Sequence, residues 1–147
     1  MAHQLFDYLD KEQIRLKSKK SPVEEREYRF YQVVTELFER IDNALKPAIE
    51  KNQLEVSDVS VGPNRFNVIG KQIKVYGKKP VILLPDVTGS QRGEYKISIQ
   101  NGATVLQSTY FFYDEGKWKS TRHEFGGVQK AELNEETLLD LLLIFIR

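Results

Sequence analysis

The sequence contains no cysteine, which excludes disulfide bonds, thiolate metal sites and a cysteine nucleophile. Its two histidines, His3 and His123, stand far apart along the chain and cannot by themselves form a histidine-rich metal site. Neither sign of charge is in excess, since 22 Lys and Arg residues are balanced by 21 Asp and Glu residues. This balance argues against a nucleic-acid coat protein and against an acidic mimic of DNA.

Long apolar runs are also absent. The longest, Leu141–Ile146, covers about a third of the ~20 residues that a membrane-spanning helix needs. The first residues, Met1–Asp7, lack the apolar core of a signal peptide. We therefore expect a soluble cytoplasmic protein that does not contact a membrane, and the length predicts a single domain over residues 1–147.

The clearest helical pattern covers residues 22–46. It begins with an N-cap hydroxyl on Ser21, a proline at the first helical position and Glu24 three residues after the cap. Pro47 predicts that the helix ends or kinks there. One apolar stripe at spacings of three and four follows the whole segment: Phe30, Val34, Leu37, Phe38, Ile41 and Leu45.

Two further helices are predicted, at residues 3–17 and 135–146. The first has a ragged apolar face, and the second follows Asn134, a favourable N-cap residue. Between residues 138 and 146 only Asp140 is polar, which indicates a helix buried on more than one side. It can fill the core of the domain, or part of it can meet another protein or a second copy in a homodimer.

The middle of the chain, residues 54–125, predicts an antiparallel meander of six or seven strands. Apolar residues alternate with polar ones at Leu54/Val56, Phe66/Val68, Ile73/Val75 and Tyr95/Ile97/Ile99. Asn101-Gly102 predicts a two-residue hairpin turn, and Asp114-Glu115-Gly116 predicts a three-residue loop. The predicted fold class is therefore α+β, with N-terminal helices, the meander and a C-terminal helix.

These turn lengths fix a register, and the register sorts the side chains onto two faces. The expected core face carries Tyr95, Ile97, Ile99, Leu106, Tyr110, Phe112 and Trp118. The expected open face carries a set of cations and aromatic rings: Lys96, Phe111, Tyr113, Lys117, Lys119 and His123. Residues 61–125 hold ten basic and five acidic side chains (+5), so the positive charge of the chain is concentrated there.

Such a face has two uses besides simple contact with solvent. Aromatic rings anchor a protein interface while charges steer the approach, or rings stack on bases while lysines meet phosphates. A docking site for a protein partner, without catalysis or cofactor, is the leading interpretation. A nucleic-acid-binding module that uses the same face is the alternative.

A third interpretation comes from Pro85-Asp86, which is followed after seven residues by Glu94-Tyr95-Lys96. This arrangement resembles the signature of the PD-(D/E)xK nuclease superfamily. The resemblance implies that Asp86 and Glu94 share a divalent metal while Lys96 orients the attacking water. The sequence departs from the superfamily where its Glu-x-Lys strand enters the Asn101-Gly102 hairpin instead of a helix.

Overall fold

A computed structural model of the protein describes residues 4, 5, 7, 21–101, 104–124 and 127–146, with the backbone alone at 104–109, 122–124 and 127–130. In chain order the elements are α1 (Pro22–Glu50), β1 (Leu54–Val59), β2 (Gly70–Val75), β3 (Val81–Pro85), α2 (Val87–Ser90), β4 (Lys96–Asn101), β5 (Thr104–Asp114), β6 (Lys117–Glu124), β7 (Gly127–Glu132) and α3 (Glu135–Ile146). The strands form one antiparallel sheet in which β1 to β7 lie in chain order. The α+β class predicted from the sequence is confirmed.

The start of α1 follows the predicted capping pattern. The backbone N–H of Glu24 donates a 3.1 Å hydrogen bond to Ser21 Oγ, and Pro22 is the first helical residue. The helix continues through Pro47 to Glu50, so of the two predicted effects of this proline, an end or a kink, the end at residue 46 is wrong. Proline removes only its own N–H bond, and the final turn is completed by the N–H of Lys51, which donates to the Pro47 carbonyl at 3.3 Å.

Of the other predicted helices, the one at residues 135–146 is confirmed as α3, and Asn134 Oδ1 accepts a 2.8 Å bond from the N–H of Thr137 at its start. Of the helix predicted at residues 3–17, Gln4, Leu5 and Asp7 are helical, and the rest lies outside the described residues. No helix among the described residues is long and apolar enough to cross a bilayer.

The sheet differs from the prediction at two places. The strand expected around Phe66 and Val68 is a loop, because Asn64 forms hydrogen bonds with both the N–H (2.7 Å) and the carbonyl (2.9 Å) of Val68 and so closes the segment on itself. The seventh strand is instead β7, which lies beyond residue 125 and pairs with β6. The number of strands agrees with the prediction, but one member is different.

Both long helices pack on the same face of the sheet. On that face, Trp118 Nε1 donates to the Val33 carbonyl in α1, and Asn101 Nδ2 donates to the Phe145 carbonyl in α3. Their apolar stripes and the sheet form one core. It includes Phe30, Val33, Leu37, Ile41, Ile73, Val81, Leu83, Ile97, Ile99, Phe111, Trp118, Leu138 and Leu142, each at most 2% exposed. The opposite side of the sheet is called the outer face below.

Candidate binding face on the outer side of the sheet

The pairing of β4, β5 and β6 determines which side chains lie on the outer face. Lys96 stands opposite Phe112, which in turn stands opposite Lys119. In the next row along the strands, Ser98 stands opposite Tyr110. Because directly paired residues share a face, these rows place both aromatic rings and both lysines on the outer face.

The expected distribution of the aromatic rings on β5 is therefore wrong. Phe111 pairs with the core residue Ile97 and is fully buried, and Tyr113 pairs with Trp118 and packs against the same core. Tyr110 and Phe112, which were expected in the core, are half-buried on the outer face. The binding set predicted from the sequence thus contains two rings that point to the helices.

Two local features account for the exchange. A β-bulge shifts the β4–β5 register between Ser98 and Gln100, which moves the rings of β5 to the other face. The following loop contains two residues, Glu115 and Gly116, rather than three, because Asp114 pairs with Lys117. The loop difference reverses the effect of the bulge for β6, so Trp118 lies in the core, as the sequence predicted.

The lysines of the predicted set lie on the outer face, as expected. Lys119 Nζ is 3.5 Å from Asp114 Oδ2 and 3.6 Å from Glu115 Oε2. Lys117 Nζ is 3.5 Å from Glu132 Oε2. Lys96 is different, because its Nζ lies 5.2 Å from the ring centroid of Tyr110 and the described residues give it no carboxylate partner.

His123 is the remaining member of the predicted set. Its backbone pairs with Val128 in β7, and its side chain lies outside the described residues.

The centre of the outer face is apolar. The rings of Tyr110 and Phe112 are 6.0 Å apart at 59°, an edge-on arrangement typical of aromatic pairs. Leu84 of β3 pairs with Ser98 and is half-buried, and Ile82 lies two residues earlier on the same face. We call this set of residues the outer patch: Ile82, Leu84, Lys96, Tyr110, Phe112 and Lys119.

Two of the three residues that resemble a nuclease signature, Asp86 and Glu94, have a local polar partner, and the third, Lys96, lies beside the Tyr110 ring. Asp86 caps α2, where its Oδ1 accepts a 3.0 Å bond from the N–H of Gly89. Glu94 Oε2 is 3.3 Å from a guanidinium nitrogen of Arg92. The described part of the chain contains no group of three or more His, Asp or Glu side chains that could hold a metal.

A polar cluster that was not predicted from the sequence lies between the sheet and the start of α1. The Tyr95 hydroxyl donates to the Arg26 carbonyl at 2.8 Å, and the Arg29 guanidinium donates to the Tyr113 hydroxyl at 3.1 Å. Burial raises the pKa of Tyr95 above its usual value, although Arg29 and Arg26 act in the opposite direction. These contacts hold the start of α1 to the sheet.

The C-terminal helix is not buried on all sides. Leu138, Leu141, Leu142 and Phe145 lie in the core. Three apolar residues remain largely exposed: Leu139 (37%), Leu143 (49%) and Ile144 (44%).

Comparisons of the chain with protein-family models, with curated proteins and with solved structures find no match.

Proposed function

We propose that the protein is a non-catalytic binding protein that docks a protein partner on the outer patch. The observation that carries this proposal is the composition of the patch, in which half-buried Tyr110, Phe112 and Leu84 form an apolar centre within a charged rim. Protein interfaces have this anatomy, with aromatic residues near the centre and charged residues around them.

The ion pairs favour a protein over a nucleic acid at this surface. Lys117 and Lys119 each have a carboxylate within 3.6 Å, so their charge is already partly balanced. The acidic partners, Asp114, Glu115 and Glu132, would also repel a phosphate backbone that approached the same rim. A partner that presents apolar side chains to the centre and a carboxylate to Lys96 fits the surface better.

The test compares how well a partner protein is captured by the wild type, by a patch variant and by a matched control. The patch variant is Tyr110→Ser, and the control is Tyr31→Ser on α1, where the tyrosine is 37% exposed. A partner captured by the wild type and by the control, but lost with Tyr110→Ser, supports the proposal. Circular dichroism melting of all three proteins shows whether the fold is kept.

Hydrogen exchange of the purified complex tests the same proposal by locating the segments that the partner protects. Protection of β4, β5 and β6 on binding is expected. Equal capture by Tyr110→Ser, or protection confined to other segments, contradicts docking at the outer patch.

We also propose that α3 brings two copies of the chain together. The exposed residues Leu139 and Leu143 are four apart on the helix, so they form a stripe that a two-fold axis can place against itself. The stripe is far smaller than the roughly 800 Å² that each partner contributes to a stable complex. A weak, concentration-dependent dimer is therefore expected. Sedimentation velocity over a concentration series should show it, and Leu143→Lys should abolish it; a monomer at all concentrations contradicts this contact.

A further inference from the structure

The turn between β2 and β3 projects an aromatic ring into solvent. The N–H of Lys78 donates a 3.0 Å hydrogen bond to the Val75 carbonyl and closes the turn. Gly77 has a φ of +76°, a backbone conformation that residues other than glycine rarely adopt. Tyr76 stands at the tip and is 96% exposed, more than any other large apolar residue described. Packing against the described residues therefore does not explain its presence.

Lysines surround this ring, and they differ from Lys117 and Lys119 of the outer face, which are paired with carboxylates. Lys74, Lys78 and Lys79 are exposed, and the described residues give none of them a carboxylate partner. Lys51, at the end of α1, lies at the same end of the sheet, because Leu54 pairs with Val75. Four lysines without an ion-pair partner among the described residues are thus grouped at this end of the sheet, and Glu55 stands opposite Lys74 in the register.

A polar cleft lies beside the ring. It has a volume of about 340 Å³ and is lined by residues 52–55 on one segment and by Lys74, Tyr76 and Gly77 on the other. Asn52 and Gln53 contribute side-chain amides, which can both donate and accept hydrogen bonds. Glu55 contributes a carboxylate, which repels phosphate but accepts hydrogen bonds from exocyclic amines.

We propose that this end of the sheet, comprising Lys74, Tyr76, Lys78, Lys79 and the adjoining cleft, binds single-stranded nucleic acid. The ring of Tyr76 stacks on a base, the lysines meet the flanking phosphates, and the amides of the cleft contact the edge of the base. An anionic membrane would also attract the lysines, but it makes no use of a polar cleft beside the ring. This site is separate from the outer patch, and its function does not depend on the docking of a protein there.

Fluorescence anisotropy with a labelled single-stranded oligonucleotide of mixed sequence tests the proposal. Tyr76→Ala should weaken binding by at least about five-fold, since it removes the stacking, and Tyr76→Phe should retain it. Replacing Lys74, Lys78 and Lys79 together by Gln should reduce the slope of log affinity against log salt by about two, since three phosphate contacts are lost. Tyr31→Ala and the pair Lys117→Gln and Lys119→Gln serve as matched controls with unchanged affinity.

Three results would overturn this inference. The first is the absence of binding by the wild type at low salt. The second is an affinity that is insensitive to Tyr76→Ala or that falls with the Lys117→Gln and Lys119→Gln pair instead. The third is binding to phosphatidylserine vesicles with the same dependence on Tyr76 but without affinity for the oligonucleotide. Because Lys74, Tyr76, Lys78 and Lys79 are exposed, the melting temperatures of their variants should stay close to the wild-type value. Melting of every variant, the controls included, shows whether it is folded.

Discussion

The indole N–H of Trp118 donates a 2.9 Å hydrogen bond to the main-chain carbonyl of Val33, which lies within α1. Trp118 is the only tryptophan of the chain, and it is 2% exposed. The bond joins the sheet to the long helix at a point where water is excluded, so it fixes the position of one element on the other.

Replacing Trp118 by Phe should lower the free energy of unfolding by about 2 kcal/mol, because the hydrogen bond is lost and a cavity is left beside the helix. Urea denaturation followed by circular dichroism measures the change. Tyr76→Phe, at a fully exposed site, is the control and should leave the midpoint unchanged. A Trp118→Phe variant as stable as the wild type would show that the core closes around the smaller ring without loss.

The buried lysine on the core face leads to a second prediction. Lys71 Nζ is 2.5 Å from Asp42 Oδ1, and the Lys71 side chain is 5% exposed whereas that of Asp42 is 50% exposed. The ammonium also lies 5.2 Å from the centroid of the Phe38 ring. Asp42→Ala should therefore destabilise the fold by about 1–2 kcal/mol, since it leaves a buried charge without its counterion.

Replacing the lysine itself should cost less than removing its partner. Lys71→Met retains the length of the side chain and removes the charge, and we expect its stability to be within about 1 kcal/mol of the wild type. The double variant of Lys71→Met with Asp42→Ala should be more stable than Asp42→Ala alone. Chemical denaturation of the four proteins forms a complete cycle, and a double variant less stable than Asp42→Ala contradicts this account.

The two-residue loop between β5 and β6 allows a stabilising substitution. Glu115 and Gly116 both have positive φ, +53° and +76°, as in the type I′ turn that hairpins prefer. Glu115→Asn should raise the free energy of unfolding by about 0.5 kcal/mol, because asparagine adopts this conformation more readily. Gly116→Ala should lower it by about 1 kcal/mol through backbone strain alone, since an added Cβ meets no atom within 4 Å. Thermal melting measures both, and a change of the same sign in the two variants contradicts the assigned turn.

Tyr95 leads to a prediction about alkaline pH. Its pKa is raised by burial, so the folded state retains the phenolic proton at a pH at which the unfolded chain has begun to lose it. The stability that this contributes is fully present below pH ~10, the pKa of an unperturbed tyrosine, and is lost as the pH rises further. The free energy of unfolding of the wild type should therefore fall more steeply above pH ~10 than that of Tyr95→Phe. Parallel pH dependences for the two proteins would contradict the raised pKa.

The features that sequence reasoning predicted correctly are governed by neighbouring residues. Ser21 and Asn134 cap helices by accepting hydrogen bonds from N–H groups three residues further on. Serine and asparagine are favoured at this position, so both caps can be recognised from the residue type alone. The apolar stripe of α1 can be recognised in the same way, because residues three and four apart lie on one face of a helix. Such signals depend on short stretches of chain.

The face of the aromatic rings on β5 could not be predicted in this way. It depends on a bulge between Ser98 and Gln100, for which the alternating pattern of β4 gives no sign. The faces of β6 depend in addition on the two-residue loop, in which Glu115 adopts a positive φ that is uncommon for this residue type. The composition of the open face was inferred from the same alternation. Its lysines were therefore placed correctly, while its rings were exchanged.

The loop at Phe66 shows a different limit of prediction from the sequence. Its alternation of apolar and polar residues is produced by packing, because Val68 is buried and the ring of Phe66 lies 5.3 Å from that of Tyr28 on α1. Alternation therefore does not distinguish a strand from a loop that covers the end of a core.

The strand order of the sheet has a consequence for how the chain folds. Every strand pairs with its predecessor, so each pairing closes only a short loop, and the contact order of the sheet is low for an all-antiparallel structure. A nascent chain can add its strands one at a time as they leave the ribosome. The core, however, needs Leu138 and Leu142 of α3, so it stays open to water until that helix has emerged.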